Sequence, residues 1–431
     1  MTLPLYSYAQ YKKNRSATAV GDYREERKQV LDIIEEVRSK GDPALLKYTR
    51  RFDRAELEQI KVSEGEINEA VQSVSPELTA AIKGAKDNIV RFHRHQLEQN
   101  WWDSGRGWTA GQRNIPLQSV GAYIPGGTAA YPSSVLMTAL PAGVAGVKNI
   151  YLCTPPDKNG RVNALTLAAA WEAGVTAVFK VGGAQAIAAL AYGTETVPAV
   201  QKIVGPGNIY VTLAKKEVFG QVGIDMLAGP SEIVIVAAAN ARPDYIAADL
   251  LSQAEHDPLS RSILITPSEE LAKRVVSHLE AQIISLPRRK IAEQSLREQG
   301  AAIIVSGLEE AWAVVNDLAP EHLELYLDEA WQYLDRITSA GSVFIGPYTP
   351  ESLGDYWAGS NHVLPTARAA RYASALGVAD FIKRSQVICY TKEALQESAP
   401  QIAALARAEG LEAHARAVLL RRHKNEPQSQ S

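Results

Sequence analysis

Eight histidines occur in this chain of 431 residues, and four of them, His256, His322, His362 and His414, stand beside other groups able to bind metal or move protons. In Ser252-Gln253-Ala254-Glu255-His256-Asp257-Pro258, Gln253 and His256 are three residues apart, so a helical turn points both from one face. That spacing suits a pair of metal ligands, and it also suits a polar helix end facing solvent before Pro258. Asp355 lies in Gly354-Asp355-Tyr356-Trp357-Ala358-Gly359-Ser360-Asn361-His362, a turn-rich stretch with more polar groups than a simple loop needs. An Asp after Gly is equally a common turn residue. Glu321-His322 follows Ala319-Pro320, which predicts a helix start or bend where a carboxylate and an imidazole approach one substrate carbon. A neutral histidine can remove a proton near pH 7 and a carboxylate can activate water, while a helix cap with a half-buried histidine is the purely structural alternative. Glu409 and His414 stand on either side of Gly410; on a straight helix they face different ways, so converging on one ligand requires the break that glycine permits.

Such groups act together only on a scaffold that gathers them. Val30, Ile33, Ile34 and Val37 recur at helical spacing, Gly41 offers a left-handed stop, and Pro43 can open a following helix. The stretch from about Thr18 to Asn114 therefore reads as mainly helical, finishing in the aromatic, Gly-rich segment Trp101 to Gly107. From Asn149 the period changes. Ile150–Cys153 is strand-like, Ala164–Ala173 helical with Gly174 as its stop, and Thr176–Val181 strand-like, which implies a right-handed crossover in a parallel sheet. A second series follows: Ile233–Val236, a helix after Pro243, Ser262–Ile265, a helix after Ser268, Ala302–Val305, a helix around Trp312, then Ser342–Ile345. The expected fold is α/β, with two doubly wound, Rossmann-like parallel-sheet domains, a helical N-terminal segment and a small helical C-terminal tail after about Ala375. The tail holds a short strand, Val387–Tyr390, and a helix broken at Gly410, too little for a core of its own.

A glycine fingerprint of the GxGxxG or GxxxxGK[ST] kind is missing. The turns Pro125-Gly126-Gly127, Gly182-Gly183 and Gly205-Pro206-Gly207 lie at or after strand-like segments, where α/β sheets bind ligands at helix N-termini; each also serves as a plain turn. A net charge of −3 leaves no positive excess for a nucleic-acid backbone. The basic clusters Arg288-Arg289-Lys290 and Arg421-Arg422-His423-Lys424 are short enough to be surface turns. Apolar residues make up 46% and charged ones 22%, the balance of an ordinary globular protein, and two cysteines, Cys153 and Cys389, are too few for a disulfide scaffold. The start lacks the apolar run of a signal peptide and later apolar runs carry charges, so a cytoplasmic protein that does not cross a membrane is expected.

The segments VGAYIPGG, VGGAQAIAALAYGTE, VGPGN, GIDMLAGPSE, SQAEHDP, APEHLE, TPESLGDY, AGSNHVLPT and AEGLEAH, with VRSKGDPALLKYTRRFD upstream, come in an order that resembles the histidinol dehydrogenases over nearly the whole chain. The resemblance implies one zinc ion per subunit held by Gln253, His256, Asp355 and His414, with Glu321 and His322 as the acid–base pair. It places the substrate against Ser231 and Glu409 as well as Gln253, His256, His322, Asp355 and His414, and NAD against Tyr123, Gln185 and Asn208. The implied reaction, the last step of histidine biosynthesis, is oxidation of L-histidinol through L-histidinal to L-histidine by two NAD in turn. His322 would take the alcohol proton and Glu321 would activate water for attack on the aldehyde. Zinc, which has no redox chemistry, would orient the substrate. A homodimer is implied, the tail of one subunit completing the site of the other. The implied parts are a segment 1–18 packing with the tail, a larger α/β domain from 19–123 and 231–376, a second from 124–230, and a dimerisation segment 377–431. Three other readings remain at this stage: an oxidoreductase of the same superfamily acting on another alcohol, a zinc hydrolase without cofactor, and a silent binding protein.

Overall fold

A computed structural model describes residues 3–15, 23–126 and 130–422. Gly127, residues 1–2 and 16–18 of the expected N-terminal segment, and His423-Lys424 of the second basic cluster lie outside the described residues. The chain forms two compact units, one from residues 1–96 and 117–381 and the other from 97–116 and 382–431.

In the first unit, β1 (Leu5–Ser7) and α1 (Tyr8–Arg15) precede the helices α2 (Arg24–Lys40), α3 (Asp42–Phe52), α4 (Glu64–Ser73) and α5 (Pro76–Arg94). The predicted face Val30, Ile33, Ile34 and Val37 of α2 is buried, Gly41 ends the helix at φ +60°, and Pro43 sits in the first turn of α3. The chain then passes through β2 (Trp101–Gly105) and β3 (Trp108–Pro116), which belong to the second unit. The helical expectation to Asn114 fails there. Trp101, Trp102, Trp108 and Thr109 favour a pleated surface, and the two-residue turn Arg106-Gly107, with Gly107 at φ +78°, closes a hairpin that pairs Gly105 with Trp108.

A five-stranded parallel sheet follows, built from β4 (Ser119–Tyr123), α6 (Pro132–Ala145), β5 (Asn149–Thr154), α7 (Ala164–Glu172), β6 (Ala177–Lys180), α8 (Gly183–Tyr192), β7 (Lys202–Val204), α9 (Ile209–Val218) and β8 (Gly223–Ile224). Its order is β6-β5-β4-β7-β8, so the connections reverse direction between β4 and β7. Residues 119–123, expected in the larger domain, are hydrogen-bonded into this sheet through β5 and β7. Phe179, Ile187, Leu190, Ile203 and Val211 form part of its core with the buried face of α2.

The remaining strands build a six-stranded parallel sheet: β9 (Glu232–Ala237), α10 (Pro243–Ala254), β10 (Arg261–Thr266), α11 (Glu269–Gln282), α12 (Arg289–Glu298), β11 (Ala301–Ile304), α13 (Leu308–Leu318), β12 (His322–Tyr326), β13 (Ser342–Ile345) and α14 (Glu351–Tyr356). The order is β1-β11-β10-β9-β12-β13, with the switch between β9 and β12. Its inner strands are buried on both faces, Ile233, Ile235 and Leu264 toward one core and Val234, Val236 and Ile263 toward the other, the pattern of a sheet covered by helices. Leu5–Ser7, expected beside the tail, is its edge strand on β11. Two local expectations are corrected here. Glu321 sits in a bend, one of the two expected settings, but His322 opens a strand and not a helix, because β12 is drawn between β9 and β13. Asp355 lies in the short helix α14 instead of a turn.

The second unit is the antiparallel sheet β14-β3-β2, completed by β14 (Ile382–Tyr390), with α15 (Lys392–Ala408) and α16 (Glu412–Arg422) packed on each other through Ala403, Ala406 and Ala415. Residues 377–381, assigned above to the dimerisation segment, belong to the first unit. Gly410 breaks the two helices at φ +77°, as expected. None of the described helices is long and apolar enough to cross a membrane.

Candidate functional site

Ser231 immediately precedes β9, and Glu321 immediately precedes β12, which His322 opens; these two strands flank the switch of the six-stranded sheet. The site is thus at the amino ends of these strands, whereas ligands in open α/β sheets usually sit at carboxyl ends. Parallel register sets His322 beside Ile233, so the backbone of Glu232 meets both side chains. Its N–H donates to Oε2 of Glu321 at 2.9 Å, and its carbonyl lies 3.1 Å from Nδ1 of His322. Nδ1 therefore carries the proton, and Nε2, which is buried without a partner, keeps its lone pair.

Gln253 and His256 come from the end of α10 and the turn that follows, where the His256 N–H donates to the Gln253 carbonyl at 3.2 Å. Gln253 is 0% exposed, yet neither its Oε1 nor its Nε2 has a partner. Two unpaired atoms in one buried amide cost on the order of 1–3 kcal/mol each unless a ligand satisfies them. α14 packs on α10 and brings Asp355 to this group; its Oδ1 is 4.0 Å from His322 Nε2 and 3.9 Å from His362 Nδ1. His322, Glu351 and Asp355 each offer a donor atom within 4.8 Å of the others.

Charge in this region is strained toward neutrality. Lost solvation lowers the pKa of His322 to about 4, against the pull of Asp355. Burial raises that of Glu321 well above the carboxylate range, with Glu232 and Asp355 adding repulsion. His256 sits at the solvent edge of the group, but protein on its inner side lowers its pKa by desolvation, opposed by Asp355. Glu232 is paired with Arg261 at 3.0 Å, but Glu321, Glu351 and Asp355 crowd around His322, an environment in which a divalent ion is stabilising. A Gln, His and Asp donor set with unsatisfied atoms fits a zinc ion.

The expected cofactor contacts lie at carboxyl ends of the five-stranded sheet. Tyr123 ends β4 and its hydroxyl accepts from Gly183 N at 3.1 Å; burial pushes its pKa up to about 12. Gln185, in the first turn of α8, is buried with Oε1 unpartnered. Asn208 caps α9, accepting from the N–H groups of Tyr210 and Val211. Tyr123 ends β4 and Asn208 follows β7, the strands at that sheet's switch. Glu409 caps the end of α15 and His414 lies in the first turn of α16, both in the second unit. Arg288 reaches back to the His256 carbonyl at 3.2 Å, while Arg289 and Lys290 are exposed.

Sequence reasoning missed Glu351, whose Oε1 is 3.7 Å from His322 Nδ1. It stands four residues before Asp355, and reading that stretch as a helix puts both carboxylates on one face. It also missed the buried cluster behind: Glu324 accepts from the Glu351 N–H at 2.7 Å, and the Tyr326 hydroxyl donates to Asp249. The alternation of Glu324 and Tyr326 with leucines inside a fully buried strand was the available signal.

The histidinol dehydrogenase family model matches residues 16–422. The chain is 54% identical over 403 residues to histidinol dehydrogenase of Geobacillus kaustophilus, covering 93% of this chain and 95% of that protein. It is 54% identical over 396 residues to that of Moorella thermoacetica, covering 91% and 93%. The crystal structure of histidinol dehydrogenase from Elizabethkingia anophelis has the same fold, with a TM-score of 0.90 at 43% identity over 94% of this chain and 93% of that one. The chain belongs to the histidinol dehydrogenase family, and with it to the oxidoreductases.

Proposed function

We propose that this chain oxidises L-histidinol through L-histidinal to L-histidine, with NAD as oxidant and one zinc ion per subunit, as the last step of histidine biosynthesis. The observation that carries the reading is the buried pair Glu321 and His322 held by one residue of β9, Glu232, beside a buried amide with no partner. Gln253, His256 and Asp355 would hold the metal, with His414 as a fourth ligand. When bound, the zinc ion supplies positive charge that orients the imidazole and amine of the substrate and favours ionised Glu321.

Ser231 and Glu409 would take polar groups of the substrate. His322 Nε2, with Nδ1 already protonated, accepts the hydroxyl proton as the alcohol carbon gives up its hydride. NAD, bound against Tyr123, Gln185 and Asn208, accepts the hydride in each oxidation. Glu321 then removes a proton from water, which adds to the aldehyde, and the hydrate loses a second hydride to give the carboxylic acid. Burial of both side chains keeps the aldehyde from bulk water between the steps.

A homodimer completes this reading, the second unit of one subunit giving Glu409 and His414 to the site of the other. Both cysteines are free, which suits a reducing cytoplasm. The test is incubation of metal-loaded protein with L-histidinol and NAD. About two NADH should form per histidine, because one site performs both oxidations. NADH without histidine would overturn the reading in favour of a simple alcohol oxidation.

A further inference from the structure

Behind the expected cofactor contacts lies a buried ion pair that the reaction does not use. Lys215 of α9 is 2% exposed and pairs with Asp225, whose side chain is 1% exposed. Two charges withdrawn from water gain little net stability over an apolar pair of the same volume, so the informative question is where their other hydrogen bonds go. Two of them converge on Gly205, and a third goes to Met226. Lys215 Nζ donates to the Gly205 carbonyl at 3.0 Å, and Asp225 Oδ2 accepts from the Gly205 N–H at 2.7 Å, while Oδ1 accepts from Met226 N at 2.7 Å.

Gly205 begins the turn Gly205-Pro206-Gly207-Asn208 with φ at +109°, and a Cβ there would overlap the Tyr123 carbonyl. The turn is therefore held on three sides, by Lys215, Asp225 and the end of β4. Asn208 closes it, and its Oδ1 is committed to the N–H groups of Tyr210 at 3.1 Å and Val211 at 3.2 Å, which leaves Nδ2 as the donor for a ligand. Lys215 sits on the helix that Asn208 caps, about two turns further on, so one rigid element joins the ion pair to the contact residue.

We propose that Lys215 and Asp225 are positioning residues for the dinucleotide: they fix the Gly205–Asn208 turn so that Asn208 is already in place when NAD arrives, without touching NAD themselves. This rests on the reading of Asn208 as an NAD contact. The test compares Asp225→Asn and Lys215→Met with Asn208→Ala, measuring NADH affinity by fluorescence, KM for both substrates, kcat, zinc content and melting temperature. In the two ion-pair variants, weaker preorganisation should raise KM for NAD by about tenfold or more. KM for L-histidinol, kcat at saturating NAD and zinc content should hold within about twofold if binding alone is affected. Unchanged NAD affinity in a folded ion-pair variant, with Asn208→Ala impaired, overturns the proposal; unchanged affinity in Asn208→Ala overturns the reading beneath it. If a single variant fails to fold because a charge is left unpaired, Lys215→Met/Asp225→Leu removes both charges and should show the same selective loss of NAD affinity. In the unaltered protein, the amides of Gly205 and Met226 should exchange slowly before NAD is added, and exchange at open-loop rates overturns the proposal.

Discussion

The carbonyl of Glu232 lies 3.1 Å from Nδ1 of His322, and this one contact decides which ring nitrogen can act as a base. A carbonyl cannot donate, so the proton is on Nδ1 and the lone pair on Nε2. Because the same residue's N–H holds Glu321, a shift of β9 against β12 would misplace both side chains together.

Glu321→Gln keeps the hydrogen bond from Glu232 through its amide oxygen but cannot remove a proton from water. Oxidation of supplied L-histidinal should slow by about 100-fold or more. The first oxidation, followed as single-turnover NADH from L-histidinol, should change by less than about tenfold. Equal loss in both steps would refute the division of labour between Glu321 and His322.

Gln253→Leu separates metal binding from stability. Removing a metal ligand should weaken zinc retention by at least about tenfold, read as zinc content after dialysis. The same change removes two unpaired buried atoms, so the metal-free variant should melt no lower than metal-free parent protein. A variant that keeps its zinc would remove Gln253 from the donor set.

Asp53 gives a pH prediction for the protein without NAD. Burial raises its carboxyl from 3.8 to about 6, so the folded state binds a proton more tightly than the unfolded state does. Ionising it in place therefore costs stability. The cost is absent below pH 3.8, grows between pH 3.8 and about 6, and is constant above. Asp53→Asn should be more stable than the parent at pH 8 by on the order of 1–2 kcal/mol, allowing for partial solvent screening, with the difference shrinking as pH falls below 6. Denaturant midpoints at pH 8, 6 and 4 measure this, and a difference that grows on acidification would contradict it.

Mixed dimers test whether His414 is supplied from a second subunit. His256→Ala and His414→Ala should each be inactive alone. Unfolded together and reassembled in equal amounts, they should recover about a quarter of the sites at most, since half the dimers are mixed and each has one intact site. Mixed dimers without activity would place both ligands in the same chain.

The doubly wound character of the chain was legible because buried parallel strands and amphipathic helices have different periods; Ile233–Val236, Ser262–Ile265 and the face of α2 all appear where periodicity puts them. The strand β12 was not legible. Glu324 and Tyr326 interrupt its apolar run, because they point into a cluster of buried carboxyl groups that periodicity counts as surface. The hairpin β2–β3 was hidden for another reason: Trp101 and Trp102 are exposed in it, so no buried face marks its alternation. Within the site, helical spacing placed Gln253 and His256 on one turn, and the structure has them at the end of α10 and in the turn after it. Glu351 did not, because its helix was read as a turn and only the fold brings it to His322.

The sheet of the second unit joins Trp108–Pro116 to Ile382–Tyr390 as neighbours. During synthesis, the strand that begins at Trp108 emerges early and must wait for Ile382–Tyr390 before its second edge is covered. An uncovered edge is a template for wrong pairing, and contacts so distant in sequence form slowly. A fragment ending before Ile382 therefore carries the hairpin with one edge open, which favours its aggregation and gives Ile382–Tyr390 control over when that edge is protected.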